Sequence, residues 1–210
     1  MDGERFRTVL EVFHEMVPKA FGYLADEFGF HLSRDDDYSF TAISTHSEVI
    51  VELDWGSIVV SIRPAESGRS VRLSFIVGAM DAEVLFLPRY PWGPDEARDE
   101  VDRQAGLLRR YCEELLGGDF SKWARLEEHQ QRVLEQWRNE SERLVREARV
   151  KLVRRRADAA FVARRFSEAA QLWSSIREEL NEVESRRHEY ARRRVLLQPV
   201  RLGPRLEGIA

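Results

Sequence analysis

Cysteine is nearly absent from this chain, and long apolar runs are absent altogether. Its single cysteine, Cys112, excludes an internal disulfide and any metal site built from several thiolates. No segment approaches the roughly 18 consecutive apolar residues that a membrane-spanning helix needs, so a membrane partner is not expected. The first residues lack the basic end and the apolar stretch of a signal peptide. We therefore expect a cytoplasmic protein.

Glycine and proline become scarce in the second half of the chain. Between Asp119 and Leu202 there is no glycine, and Pro199 is the only proline. The charge changes at the same point: residues 1–118 hold 12 Lys/Arg against 22 Asp/Glu, a balance of −10, and residues 119–210 hold 21 against 15, a balance of +6. Because composition and charge change together, we predict two domains, an α+β domain at 1–118 and a helical segment at 119–210.

A pair of short strands is the most clearly patterned part of the chain. Apolar and polar residues alternate in the segments 48–54 and 57–63, which is typical of strands with one buried face. If the chain folds back at Trp55-Gly56, six large apolar side chains share one face and Glu48 lies opposite Arg63. These six are Val49, Val51, Leu53, Ile58, Val60 and Ile62. Tryptophan is a poor first residue in a two-residue type I′ turn, so a four-residue loop is an equal alternative.

Further patterns extend this hairpin into a domain. Strands are predicted at about 38–44 and at 71–77, which gives a four-stranded antiparallel meander. Amphipathic spacing over residues 4–28 predicts a helix across one face of the sheet, with a kink or a second helix at Pro18. A helix that opens at Pro94 and stops at Gly117-Gly118 completes the α+β domain.

The second half of the chain is predicted to be helical. Whether residues 121–165 form one helix or two stays open, because 139–142 has the form of a capping box. A further helix is expected over 166–180. A second capping box at 181–184 predicts a last, charged helix, and a loose tail should follow Gln198.

One helical hairpin resembles a tetratricopeptide unit. The match lies in small residues at 157–161, an aromatic-x-x-Ala opening at Phe166, and Trp173 where that family has a bulky aromatic. The hairpin departs from the family at Asn181, where a proline is usual. A lone unit cannot bury its own faces, so the resemblance implies that it stacks on the preceding long helix.

The first 118 residues resemble a group of uncharacterised bacterial α+β domains. The likeness lies in an acidic-aromatic-Gly-Phe helix end at 26–30, a small antiparallel sheet, and a helix that ends in Leu-Leu-Gly-Gly-Asp at 115–119. Some small acidic domains of this build are similar to immunity proteins, which neutralise a toxin by binding it. The resemblance implies a protein-binding function and assigns no role to any residue.

Residues that support catalysis or metal binding are scattered. None of the five histidines forms a His-x-x-x-His pair, and the sequence has no phosphate-binding glycine loop and no Gly-x-Ser-x-Gly elbow. The run Asp35, Asp36 and Asp37 could supply oxygens to a hard cation, but no glycine turn follows it, which favours a polar loop. We therefore predict no enzyme activity, no catalytic residue, no metal and no cofactor.

Binding to another protein is the predicted function, as an immunity-like neutraliser or as a scaffold. The predicted contact residues lie in the acidic loop, on the strand face opposite the core and at the hairpin tip: Asp35, Asp36, Asp37, Glu52, Asp54 and Trp55. The alternative is a nucleic-acid-associated regulator that uses the arginine runs at 154–156, 164–165 and 192–194. Interleaved acidic residues make these runs more typical of a solvated helix face. A homo-oligomer through the long C-terminal helices is a further alternative.

Overall fold

The computed structural model of the chain describes residues 3–81, 89–91 and 93–197. The chain divides into two compact units, Met1–Glu135 and Gln136–Ala210. This division falls later than the predicted boundary after Gly118, because Trp123 and Leu126 are buried in the core of the first unit. The predicted loose tail after Gln198 lies outside the described residues. No described helix is long and apolar enough to cross a membrane.

The first unit combines helices with one antiparallel sheet. Its helices are α1 (Gly3–Ala20), α2 (Tyr23–Phe28), α3 (Leu73–Met80), α4 (Pro94–Leu116) and the start of α5 (Trp123–Val162). Its strands are β1 (His31–Arg34), β2 (Ser39–Ile43), β3 (Ser47–Asp54), β4 (Ser57–Pro64) and β5 (Val71–Arg72). They pair in the order β1-β2-β3-β4-β5, so the sheet is a meander. The α+β class predicted from the sequence is confirmed.

The central hairpin has the predicted register. Val51 pairs with Val60, and Glu48 pairs with Arg63, whose Nε donates to the Glu48 carboxylate at 2.8 Å. All six apolar residues of β3 and β4 named above are buried. A slip of one strand by one residue would move its three apolar side chains to the opposite face, and this is why a single register is stable.

The sheet has five strands, so the prediction of four is wrong at both ends. β1 lies before the first predicted strand and was not predicted; it pairs with β2. The predicted strand at 71–77 is a strand only at Val71–Arg72, and Leu73–Met80 is a helix. The alternating residues of the predicted strand, Val71, Leu73, Phe75 and Val77, are buried. Ile76, which a strand would turn to the other face, is buried as well. Alternation cannot separate a strand from a short helix when an apolar run is buried on several sides.

Helices cover one face of this sheet. α4 packs on α1 and on α3, and it also contacts β4. Within this layer the Glu100 side chain is only 1% exposed; it accepts hydrogen bonds from Arg103 and from Gln104. Gln104 also donates to the Ile58 carbonyl at 3.2 Å. The Gln104 amide therefore joins α4 to β4 in the middle of an apolar layer, and the buried Glu100 carboxylate accepts a hydrogen bond from the same amide.

The ends of the helices follow the predicted signals. α1 contains Pro18 and stops at Ala20, and α2 then begins at Tyr23. Gly29 ends α2 in the left-handed region at φ 69°, and the Phe30 N–H donates to the Leu24 carbonyl. Pro94 occupies the first turn of α4, where its missing N–H costs nothing.

The second unit is helical. α5 is a single helix through Val162, which settles the question left open for 121–165. After a turn at Arg164 come α6 (Phe166–Ser174), a short 3₁₀ helix (Arg177–Glu179) and α7 (Glu182–Leu196). The capping box predicted at Asn181 and Glu184 is present at the start of α7.

α6 is shorter than the predicted helix over 166–180. Ser174 and Ser175 stand where it ends, and their hydroxyls donate to the Ala170 and Leu172 carbonyls at 2.8 and 2.7 Å. Such side-chain bonds compete with the helical pattern and favour a helix end. The core of the unit contains Val150, Ala157, Ala160, Ala169, Trp173 and Ala191. The likeness to a tetratricopeptide unit stays a prediction.

Candidate protein-binding site

The outer face of the sheet, opposite the helices of the first unit, is polar with an apolar centre. Alternation along β3 places Glu52 and Asp54 on this face, and both are exposed. Ile50 on β3 and Val59 on β4, which pairs with Glu52, lie on the same face and are half-buried. On β2, Ile43 is 46% exposed on the same face. The predicted contact face is therefore accessible at its acidic residues and only partly covered at its apolar ones.

A tight turn carries Trp55 at one end of this face. Asp54 pairs directly with Ser57, so the turn is the two-residue form, made of Trp55 and Gly56. Both residues have positive φ, 48° and 86°, as a type I′ turn requires. The Trp55 side chain is 88% exposed. The turn therefore holds a large aromatic ring in solvent, in a backbone conformation that favours asparagine or glycine.

The acidic loop between β1 and β2 is held by its own carboxylates. Asp35 accepts hydrogen bonds from the Thr41 and Ser33 hydroxyls. Asp36 accepts one from the Tyr38 N–H at 2.6 Å, and this bond lowers the pKa of Asp36 below its usual value. Asp37 pairs with the Arg34 guanidinium. These three side chains shape the loop, so they are less available to a partner than the sequence predicts.

The fold brings this loop and the Trp55 turn to the same end of the sheet. Ser39 pairs with Glu52, and the Leu53 N–H donates to the Tyr38 carbonyl at 2.8 Å. All six residues predicted from the sequence therefore lie at one end of the meander. Neither Glu52 nor Asp54 has an ion-pair partner within the described parts of the chain.

Tyr38 belongs to the same end, and the sequence analysis missed it. Its side chain is 47% exposed, and its ring lies 6.0 Å from that of Phe6 in α1. His14 of α1 also donates to the Asp37 carbonyl at 2.6 Å, so α1 supports the loop from the side of the helices. The signal in the sequence was its place directly after the three aspartates, at the start of the predicted strand. We call Tyr38, Glu52, Asp54 and Trp55 the acidic aromatic end.

The described residues hold a buried cysteine and one close histidine–serine pair. Within those residues, no three His, Cys, Asp or Glu side chains form a group that could hold a metal ion. Cys112 is buried, and burial raises the pKa of its thiol to about 12. His188 lies 2.9 Å from the Ser174 hydroxyl, but that hydroxyl donates to the Ala170 carbonyl.

Three of the eight arginines in the runs at 154–156, 164–165 and 192–194 pair with acidic neighbours. Arg154 pairs with Glu184 at 3.0 Å, and Arg165 pairs with Glu168 at 2.9 Å. Arg193 pairs with Glu189. Guanidinium groups paired in this way have less charge to offer to phosphates, whereas the other five arginines of these runs have no ion pair among the described residues. The nucleic-acid alternative stays a prediction.

Comparison with protein families, with curated proteins and with solved structures finds no match to this chain. The resemblances to bacterial immunity-type domains and to a tetratricopeptide unit therefore stay predictions. The function has to be inferred from the geometry of the two units.

Proposed function

We propose that this chain is a non-enzymatic protein-binding module whose acidic aromatic end contacts a basic surface of another protein. The observation that carries the proposal is Trp55, which is 88% exposed at a backbone φ of 48°. A non-glycine residue in this region costs of order 1–3 kcal/mol, and such strain concentrates at functional sites.

An exposed tryptophan also matches the composition of protein interfaces. Tryptophan and tyrosine are enriched among the few residues that carry most of the binding energy, because their large rings bury much area with little loss of side-chain freedom. Trp55 and Tyr38 supply two such rings at one end of the sheet. Burial of the Trp55 ring in a pocket of the partner would then offset the strain of the turn.

Charge indicates the kind of partner. Residues 1–118 carry a balance of −10, and Glu52 and Asp54 at the acidic aromatic end are exposed. A surface of this sign attracts a partner with lysine and arginine residues and repels acidic ones, mainly through the rate of encounter. A neutraliser would cover the functional surface of its partner, whereas a scaffold would use a tetratricopeptide-like hairpin of the second unit as a further contact surface.

The test uses photo-crosslinking from position 55 in the full chain. A photoreactive phenylalanine analogue replaces Trp55, the crosslinked protein is identified, and its purified form is titrated against the unmodified chain. We expect the charge reversal Glu52→Lys with Asp54→Lys to weaken binding at least tenfold, mainly by slower association, and Trp55→Ala to weaken it by a similar factor.

Matched variants separate these effects from general changes in charge and surface. Asp99→Lys with Asp102→Lys makes the same charge change on exposed positions of α4, on the helical side of the unit. Tyr90→Ala removes another exposed ring. Both controls should bind as the unmodified chain does. Unchanged affinity in the test variants, or a crosslinked nucleic acid whose binding falls steeply with salt, would contradict the proposal.

A further inference from the structure

Three connecting segments of the first unit enclose a cavity at one end of the sheet. They are the turn between β2 and β3, the loop between β4 and β5, and the segment between α4 and α5. The cavity has a volume of about 620 Å³, which is typical of a site for a small molecule. Successive connections of a meander lie at alternate ends of the sheet, so this cavity is at the end opposite Trp55 and the acidic loop.

Hydrogen bonds hold the walls of this cavity in place. The Ala65 N–H donates to the His46 carbonyl at 2.8 Å and so joins the β4–β5 loop to the β2–β3 turn. Gln130 of α5 accepts from the Arg72 N–H at 2.9 Å and donates to the Ser70 carbonyl at 3.0 Å, which joins the same loop to α5. The cavity is therefore formed before a ligand arrives, and little order has to be gained on binding.

The close approach of the third segment depends on Gly118. Its φ is 92°, and a Cβ atom at this position would lie only 3.0 Å from Cγ of His46. Glycine thus satisfies both the left-handed backbone and the contact with the imidazole ring. The His46 side chain is exposed, and its ring nitrogens have no hydrogen bond within the described part of the chain. A positioned imidazole is therefore left available at the cavity wall.

Aromatic and apolar side chains form another wall. Phe120 and Trp123 pack with their rings nearly perpendicular, at 87°, and with ring centroids 5.9 Å apart. Trp123 Nε1 donates to the Glu127 carboxylate at 3.0 Å, so the indole orientation is fixed. Pro64 extends the apolar surface. Aromatic walls of this kind bind apolar groups, and they also attract ammonium groups through the negative faces of the rings.

The cavity has a negative charge and no described cationic wall. Glu66 is exposed and lines the cavity, without an ion pair among the described residues, and none of the described lining residues is lysine or arginine. Arg69 of the same loop lines a different depression. Lys122, just before α5, pairs with Glu114 at 2.7 Å. The local field therefore favours a cation over an anion.

We propose that this cavity binds a small organic ammonium compound with an apolar body. The ammonium group would lie beside the Glu66 carboxylate, with the His46 ring as a further hydrogen-bond acceptor, and the apolar body would lie against Phe120 and Trp123. A phosphate or carboxylate ligand would meet Glu66 without a lysine or arginine of the described lining to balance it. This site is independent of the acidic aromatic end.

The test titrates the full ¹⁵N-labelled chain with three probes of matched shape: 2-phenylethylamine, 2-phenylethanol and phenylacetate. Amide chemical shifts report where each probe binds. We expect the amine to shift the amides of residues 45–46, 65–67 and 118–124, with a dissociation constant in the millimolar range that is usual for such small probes. The neutral alcohol should bind about fivefold more weakly, and the anion more weakly still.

Four variants separate this cavity from general attraction to an acidic surface. Glu66→Gln should lower the affinity for the amine about fivefold, to that for the alcohol, whereas Asp99→Asn on exposed α4 should leave it unchanged. Ala124 is an exposed residue of α5 that lines the cavity, so Ala124→Phe should fill the space and abolish binding of the amine and the alcohol without loss of the fold. Ala148→Phe, at an exposed position in the same helix, should have no effect.

Three results would overturn the proposal. The first is the absence of shifts at the named amides at about 10 mM amine, a concentration at which such small probes normally bind a matching site. The second is equal affinity for the amine and the alcohol in the unmodified chain. The third is binding of the amine that persists in Ala124→Phe, since the amine would then occupy another part of the surface.

Discussion

Replacing Trp55 by asparagine should make the first unit more stable, although it removes a large aromatic ring. An L-residue with a side chain costs about 1–2 kcal/mol in the left-handed region, whereas asparagine tolerates it and Asn-Gly is a favoured type I′ pair. The Trp55 ring is 88% exposed, so little apolar burial is lost with it. We therefore expect a gain of about 1 kcal/mol in the free energy of opening of the β3–β4 hairpin.

Amide hydrogen exchange in the full chain measures this change where it occurs. A gain of about 1 kcal/mol should slow the exchange of the β3 and β4 amides roughly fivefold, while the amides of the second unit stay unchanged. Trp55→Ala is the matched variant, since it removes the ring but keeps a side chain unsuited to positive φ. Its stability should stay within about 0.5 kcal/mol of the original.

The two variants together test whether the strained turn serves to present the Trp55 ring to a binding partner. Faster exchange in Trp55→Asn would mean that the ring packs on the sheet and stabilises it, and the reasoning from exposure and φ would then be refuted. If the prediction holds, both variants should lose affinity for the partner while only one gains stability. This difference between the effects on affinity and on stability is expected of a residue whose strained backbone serves binding.

Three further predictions concern the core of the first unit. Val51→Ala, at a position 1% exposed, should lower the free energy of unfolding by roughly 1–3 kcal/mol in urea titrations, whereas Ile43→Ala on the outer face should cost about 0.5 kcal/mol or less. Arg103→Met should cost about 3 kcal/mol because it leaves the Glu100 carboxylate buried without its cation, and adding Glu100→Gln should recover most of the loss. Burial raises the pKa of Cys112 from 9.0 to about 12, so a thiol reagent at pH 8 should label it only in the unfolded chain. Since the folded pKa is the higher one, this group's contribution to stability should fall as pH rises above about 9 toward 12.

Features set by local geometry could be predicted from the sequence. The register of β3 with β4 follows from alternation, because a shift of one residue would put the apolar side chains of one strand on the opposite face from those of the other. Gly29, Pro94 and the capping box at Asn181 mark helix ends, because each acts on backbone groups within one turn of itself. No distant contact is needed for any of these.

The tertiary structure alone decided the rest. The segment after Arg72 is a helix that is buried on more than one side. The sequence pattern does not reveal how many sides of a segment the surrounding elements will cover. β1, which the sequence pattern did not reveal, makes the acidic loop a turn between two paired strands, and its carboxylates accept hydrogen bonds within that turn. The exposure of Tyr38 likewise depends on which faces the neighbouring helices cover. Burial and proximity are properties of the whole packed chain, whereas register and caps are properties of a few consecutive residues.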